Sequence, residues 1–408
     1  MRDVYIVGAG MTKFGRHLDR SVKSLTQMAV AEAMEDAGAL VNDFQAAYFG
    51  NTAQGMMQGQ YLVAGQVALG AMGVRGIPVV NVENACATAS TALHMAINHV
   101  RSGAADVVLA VGAEKLLSDD RAKSFEIFGT AWDVENPEQN IETLTGGYFS
   151  PNCAADDGRP RSMFMDLYSH MARHHMEAYG TTQHQMAIVS AKNHYHSTMN
   201  PKSQYQKEMS IEEILGAPAV TGPLTVPMCS PISDGAAAAV VVSGDQLHRF
   251  KGKPVRILAA VLRSSTARDA RDYANHITAM AAKEAYEQAG VGPGEMSVAE
   301  VHDAAAFGEI IQSECLGFAA IGEGGPLAES GATRLGGRIP INPSGGLESK
   351  GHPIGATGLG QIYELTKQLR GQAGARQVEN ARFAIAENGG GLLGVEEASA
   401  CVTILGTE

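Results

Sequence analysis

A repeat constrains this chain most. Residues 28–38, MAVAEAMEDAG, and residues 280–290, MAAKEAYEQAG, share seven of eleven residues. Each follows a β-branched apolar run, Val4–Val7 and Val255–Ala260. Each precedes a second apolar run, Ala46–Gly50 and Val298–His302. Gly38 and Gly290 supply a helix stop at the same place in both copies. An Ala/Glu-rich helix can match another by composition alone, but matched flanks point to a duplicated strand–helix–strand unit. The expectation is an α/β protein of two similar halves, residues 1–250 and 251–408. The first half carries an inserted loop domain at about 116–216, where long apolar strands give way to Met, His, Asp and Asn.

Bulk properties narrow the function. The chain has 408 residues and a net charge of −12, which argues against a general nucleic-acid or anionic-membrane surface. No apolar run approaches membrane-spanning length. The five cysteines, 86, 153, 229, 315 and 401, are odd in number and contain no Cys-x-x-Cys pair. A disulfide framework or structural zinc site is therefore not expected, and a reducing, cytoplasmic setting is. MRDVYIVGAG lacks a signal-peptide core and ILGTE is not a peroxisomal address. Gly8-Ala9-Gly10 suggests a dinucleotide fingerprint, but Lys13 stands where the third glycine belongs. His170, His174, His175, His194 and His196 crowd the insertion. Without a His-Glu-x-x-His pattern they are expected to be solvated helix faces, and no metal site is assigned.

Four stretches carry chemistry. Val79–Val82 runs into a tight turn with Cys86 at the start of a helix. The field of a helix N-terminus there is expected to lower the thiol pKa. In Val301–Glu309, VHDAAAFGE, His302 sits at a strand end, well placed to face a pocket. In NPSGGLESKGHPIGATGLG, glycines and prolines hold His352 on a loop that launches another helix. So many glycines imply close approach of a ligand or another backbone. FAIAENGGGLLG ends a strand in three glycines, whose N–H groups can hold an oxyanion, with Glu387 and Asn388 just before them.

Cys86 in ENACATAS, His302 in VHD, His352 in GHPIGATG and the late GGG resemble, in the same order, the motifs of the thiolases. VYIVGAGMTKFG, PLTVPMCSPISDGAAAAVVV and NPSGGLESKGHP resemble the sterol-carrier-protein-X type, here without a following lipid-transfer domain. The resemblance implies a duplicated five-layer αβαβα fold with the helices after Cys86 and His352 stacked at its centre. It implies a homodimer or dimer of dimers, coenzyme A as co-substrate, and no permanently bound cofactor. Cys86 would be the acylated nucleophile and His352 its base, which also helps stabilise the thioester oxyanion. His302, where many thiolases have asparagine, would help form that oxyanion hole. The N–H groups of Cys86 and Gly389 would form a second.

One departure stands out. Thiolases place a second acid/base cysteine just before the GGG; here an ungapped match gives Glu387 and a one-residue shift gives Asn388. Relatives with a cysteine two residues after the HD histidine are matched here by Ala304. Glu387 is therefore expected near Cys86, with a pKa raised by burial. The reaction expected is cleavage or formation of a 3-oxoacyl-CoA, as in β-oxidation. The alternatives are a catalytic subunit for a bulky or aromatic substrate, of the benzoylsuccinyl-CoA type, working with a small zinc-ribbon/OB-fold partner, and a non-enzymatic acyl-CoA-binding scaffold. Met163, Phe164 and Met165 are candidates for an apolar substrate wall.

Overall fold

The computed structural model describes residues 2–147 and 161–407; Cys153 lies outside them. The strands are β1 (Val4–Met11), β2 (Ala46–Gly50), β3 (Val79–Val82), β4 (Val107–Glu114), β5 (Ala219–Thr221), β6 (Leu224–Thr225), β7 (Gly235–Ser243), β8 (Val255–Ser264), β9 (Val298–Glu300), β10 (Phe383–Gly390) and β11 (Ser399–Gly406). Apart from a β5–β6 hairpin they join in the order β3-β2-β4-β7-β1-β8-β11-β10-β9. The halves meet at β1 and β8 through two residue pairs, Tyr5–Arg256 and Ile6–Val255.

The helices turn this continuous ladder into five layers. Helices Thr88–Arg101 and Thr357–Arg370 lie against each other and touch strands of both halves. Their apolar stripes, with Leu93, Ile97, Leu359 and Ile362, fill the central core between Ile6, Val108 and Val241 on one side and Ala384 and Ala386 on the other. Each such buried aliphatic side chain stabilises the fold by roughly 1.5–3 kcal/mol. Strand alternation sends Val7, Leu109 and Val242 to the opposite face, under helix Val22–Ala37. Helix Ile277–Ala289 covers β8 and β11 in the same way. The repeat in the sequence is thus the pair of outer helices, each ended by a left-handed glycine, Gly38 and Gly290.

Gly8 and Gly10 lie within β1 rather than in a nucleotide loop. A Cβ at either would collide with the Ala33 or Ala29 carbonyl oxygen of the outer helix. The glycines are there for close helix–sheet approach.

Residues between β4 and β7 build a cap over the second half. Helices Met163–Tyr179 and Gln183–Thr198 pack on helix Ala306–Cys315 and share a core with Phe307, Ile310 and Ile311. The histidines there correct the sequence reading: His170, His175, His194 and His196 are buried, not solvated. His175 contacts Thr181 and Glu314, His196 contacts the Asn342 carbonyl, and His194 lies by the Pro227 carbonyl. Imidazoles bury readily once each nitrogen has a partner, a pairing that sequence spacing does not reveal. No described helix is long and apolar enough to cross a membrane.

Candidate active site

Cys86 sits in a single 3-10 turn, Ala85–Ala87, between β3 and the first central helix. Ala85 adopts φ +46°, a strained conformation for a residue with a side chain, and this turns the cysteine outward. The Cys86 S–H donates to His352 Nε2 at 3.3 Å. The thiol is pushed up to about 12, first by burial and then by the carboxylates of Glu114 and Glu83. This corrects the expected lowering: desolvation and nearby negative charge outweigh the helix end. At neutral pH the resting pair is a thiol and a neutral imidazole, and the proton must move during attack.

The His352 tautomer follows from its surroundings. Thr357 Oγ1 donates to the Pro353 carbonyl at 3.1 Å, so its lone pair accepts from His352 Nδ1 at 2.7 Å. Nδ1 therefore carries the proton and Nε2 is left as a base facing the sulfur. Burial, with His302 and Lys350 nearby, holds the His352 pKa well below its usual value. Its backbone N–H donates to Ser233 Oγ at 3.0 Å.

His302 packs edge-on against His352, with ring centroids 5.2 Å apart. Burial lowers its pKa to about 4, so the ring is neutral at pH 7. Neither of its nitrogens has a hydrogen-bond partner among the described residues, although the ring is buried. A buried imidazole with an unspent N–H at a cavity wall suits a developing oxyanion. The ligating atoms of Cys86, His302 and His352 lie within 4.8 Å of one another, and these donor types also suit zinc. The direct sulfur–nitrogen contact is that of an acid–base pair.

The third motif is rearranged by the alternation of β10. Glu387 points to the outer face. Its Oε2 accepts the His302 backbone N–H at 2.9 Å and its Oε1 faces Thr278 Oγ1 at 3.4 Å. Burial, followed by Glu397, raises its pKa to about 8, the expected direction. It does not line the cavity; it fixes the strand end that carries His302. Asn388 points inward, where its Oδ1 accepts from Ser90 Oγ at 2.9 Å, and it also lies outside the cavity. Gly389 faces Glu397: a Cβ there would fall 2.7 Å from the Glu397 Cγ. Gly390 is the glycine pressed on the nucleophile turn, where a Cβ would fall 2.9 Å from the Cys86 amide nitrogen. Gly390 and Gly391 line the cavity with Cys86; Gly389 does not.

The cavity measures about 630 Å³. Helix Met163–Tyr179 turns one stripe toward it, Phe164, Leu167, Tyr168 and Met171, at i, i+3, i+4 and i+7. Met165 and Phe128 add to this wall, and Phe128 meets Phe164 edge-on at 6.4 Å. Met163 packs instead against the cap core. Sequence reasoning missed Thr357, Ser233 and Glu114. Glu114 is fully buried and accepts from Asn51, Thr52, Ala53 and Gly355, tying the His352 loop to the end of β4. Thr357 had a signal: it stands five residues beyond His352, at a helix start. Glu114 had none, because its partners are distant in sequence.

A duplicated αβαβα fold with a cysteine–histidine pair between its halves defines a thiolase-type acyltransferase. The comparisons agree. The family model described as thiolase, N-terminal domain, matches residues 4–245, and that described as thiolase C-terminal domain-like matches residues 259–407. The chain is 38% identical to an acetyl-CoA acetyltransferase of Methanothermobacter thermautotrophicus, over 96% of this chain and 97% of the relative. It is 38% identical to sterol carrier protein 2 of Bos taurus, over 94% of this chain and 69% of that protein. It is 35% identical to benzoylsuccinyl-CoA thiolase subunit BbsB of Thauera aromatica, over 93% and 92%. Among solved structures, an Ltp2–ChsH2(DUF35) aldolase has a TM-score of 0.78 at 23% identity, covering 99% of this chain and 98% of that one. Human mitochondrial 3-ketoacyl-CoA thiolase in complex with CoA has a TM-score of 0.70 at 17% identity, covering 100% and 98%. The chain belongs to the thiolase family. Its sequence relatives place it with the sterol-carrier-protein-X type of thiolase.

Proposed function

We propose that this acyltransferase cleaves, or in reverse forms, a bulky or aromatic 3-oxoacyl-CoA, with coenzyme A as co-substrate and an acyl-Cys86 intermediate. The observation that carries the reading is the Cys86–His352 pair at 3.3 Å, opening onto a cavity of about 630 Å³ with an aromatic and Met-lined wall. His352 Nε2 takes the thiol proton as sulfur attacks the 3-carbonyl. The unspent His302 N–H meets the thioester oxyanion, and the amides beside Gly390 and Cys86 meet the second. Glu387 holds the backbone that presents His302. Pre-aimed donors of this kind are worth about a hundredfold or more each in rate.

Two likenesses favour a further element. A relative is named as a subunit, BbsB, and a neighbour of the same fold is a complex with a DUF35 protein. We therefore also propose that this chain works with a small zinc-ribbon/OB-fold partner; the assembly and setting that the thiolase resemblance and the cysteine pattern imply are a homodimer or dimer of dimers in the cytoplasm. A thiolysis screen over acetoacetyl-CoA, longer aliphatic and aromatic 3-oxoacyl-CoAs, with and without co-purified protein, tests the reading. The bulky and aromatic thioesters should show the higher kcat/KM. A clear preference for acetoacetyl-CoA would overturn the substrate class.

A further inference from the structure

The site leaves one chemical role open. Breaking the bond between C2 and C3 produces a thioester enolate, which needs a proton donor on the side away from His352. Ala304 lines the cavity but cannot titrate, and Glu387 is turned to the outer face. Three carboxylates line the same cavity: Asp119, which is exposed to solvent, Glu396, whose oxygens are taken by Arg268, Thr266 and the Ile277 N–H, and Glu397. Glu397 lines it together with Cys86, His302, His352 and Gly390.

We propose that Glu397, held by Gln312 beside His276, is the second acid/base of this enzyme, an inference that rests on the thiolase reading above. Its placement is built from three sides. The neighbouring Glu396, also at the cavity, spends its oxygens on Arg268, Thr266 and the Ile277 N–H at the start of helix Ile277–Ala289, which fixes the loop before β11. Gln312 Nε2 donates to Glu397 Oε1 at 3.3 Å. His276 Nε2 lies 3.3 Å from Glu397 Oε2.

The His276 tautomer is set by its second task. As the N-cap of that helix, its Nδ1 accepts the Thr278 N–H at 3.2 Å, so the ring proton belongs on Nε2, which lies beside the carboxylate without a hydrogen bond to it. His276 and Gln312 are buried, while the Glu397 side chain keeps 13% of its surface open. Its charge is felt by the Cys86 thiol and the Tyr168 hydroxyl, both at the cavity wall. A carboxylate held at a cavity wall by a buried amide donor, with its second oxygen unspent, is preorganised for proton transfer.

The steps balance. The Cys86 S–H proton passes to His352 Nε2 as sulfur bonds to C3. The C2–C3 bond then breaks, and C2 leaves with the electron pair as the enolate of its CoA thioester. Glu397, carrying the proton it took from coenzyme A in the preceding turnover, delivers it to C2, which releases this CoA thioester (acetyl-CoA where C2 is unsubstituted) and leaves the shortened acyl group on Cys86. In the second half, the S–H of coenzyme A gives its proton to the Glu397 carboxylate. Its sulfur attacks the acyl-Cys86 carbonyl, and the Cys86 sulfur leaves with the electron pair and recovers the proton from His352.

Acetyl-CoA in deuterated water tests this with two readouts on one sample: acetylation of Cys86 by mass spectrometry, and deuterium entry into the methyl group of free acetyl-CoA. Glu397→Gln should acetylate Cys86 at close to the wild-type rate, which also shows that it is folded, while exchange falls about a hundredfold or more. Glu397→Asp should recover part of the exchange. Exchange at the wild-type rate in Glu397→Gln overturns the inference. The acid/base would then be another titratable group of that wall, with Cys229 and Tyr168 the first to test through Cys229→Ala and Tyr168→Phe. A wild type that acetylates Cys86 but exchanges nothing also overturns it. A wild type that never acetylates Cys86 overturns the underlying acyltransferase reading as well.

Discussion

The two halves start their central helices with the same device and use it for different ends. In the first half, a 3-10 turn over Ala85–Ala87 leads into Thr88, whose hydroxyl accepts the Asn84 N–H at 2.8 Å. In the second half, a 3-10 turn over Ile354–Ala356 leads into Thr357, whose hydroxyl accepts from His352 Nδ1 at 2.7 Å. The first threonine secures a backbone turn that exposes a nucleophile. The second secures a side-chain tautomer that makes a base. Buried carboxylates show the same split. Glu114 in the first half is saturated by donors from two segments, 51–53 and the His352 loop, whereas Glu397 in the second keeps part of its surface open at the cavity. Duplication supplied the frame, and function followed from which polar groups were left unspent.

That division of labour can be broken at four places. His352→Ala removes the base and should slow acylation of Cys86 by about a thousandfold, measured by single-turnover mass spectrometry. His302→Ala should lower kcat by about a hundredfold with a smaller change in KM, because an oxyanion donor acts in the transition state. A change confined to KM would remove that role. Thr357→Val and Thr88→Val sharpen the contrast between the halves. The first should slow acylation about tenfold or more by freeing the imidazole tautomer. The second should chiefly cost stability, about 1 kcal/mol for a lost buried hydrogen bond. Equal kinetic effects from both would mean that the threonines share one role.

The smallest effect concerns Glu387. Its folded-state pKa is raised from 4.5 to about 8, so the native state holds a proton that the unfolded chain releases. Its contribution to stability is fully present below pH of about 4.5 and is lost as pH rises through about 8. Glu387→Gln should flatten the fall in denaturation midpoint across that window; an unchanged slope would assign the slope to other groups.

Much of this molecule was legible in the sequence because its signals are local. The repeat gave the outer helices, and the strand–turn–helix patterns around Cys86 and His352 gave the two central ones. His302 was legible because a strand end leaves few choices of direction. The GGG region was not, since a one-residue ambiguity in strand phase exchanges faces: Glu387 and Asn388 point to opposite sides of β10. The buried histidines of the cap were misread because helical spacing identifies neighbours on a helix, not the element that covers them. Glu397 carried no signal at all. Its role depends on His276 and Gln312, which lie 121 and 85 positions away in the chain.

The central claim is that Cys86 carries the acyl group between two thioesters. Incubation of the purified protein with an acyl-CoA, followed by proteolysis and mass spectrometry, tests it directly. The account predicts an acyl increment on the peptide containing Cys86, removed by added coenzyme A and absent in Cys86→Ser. An unmodified Cys86 peptide, or an increment confined to Cys229, Cys315 or Cys401, would contradict it.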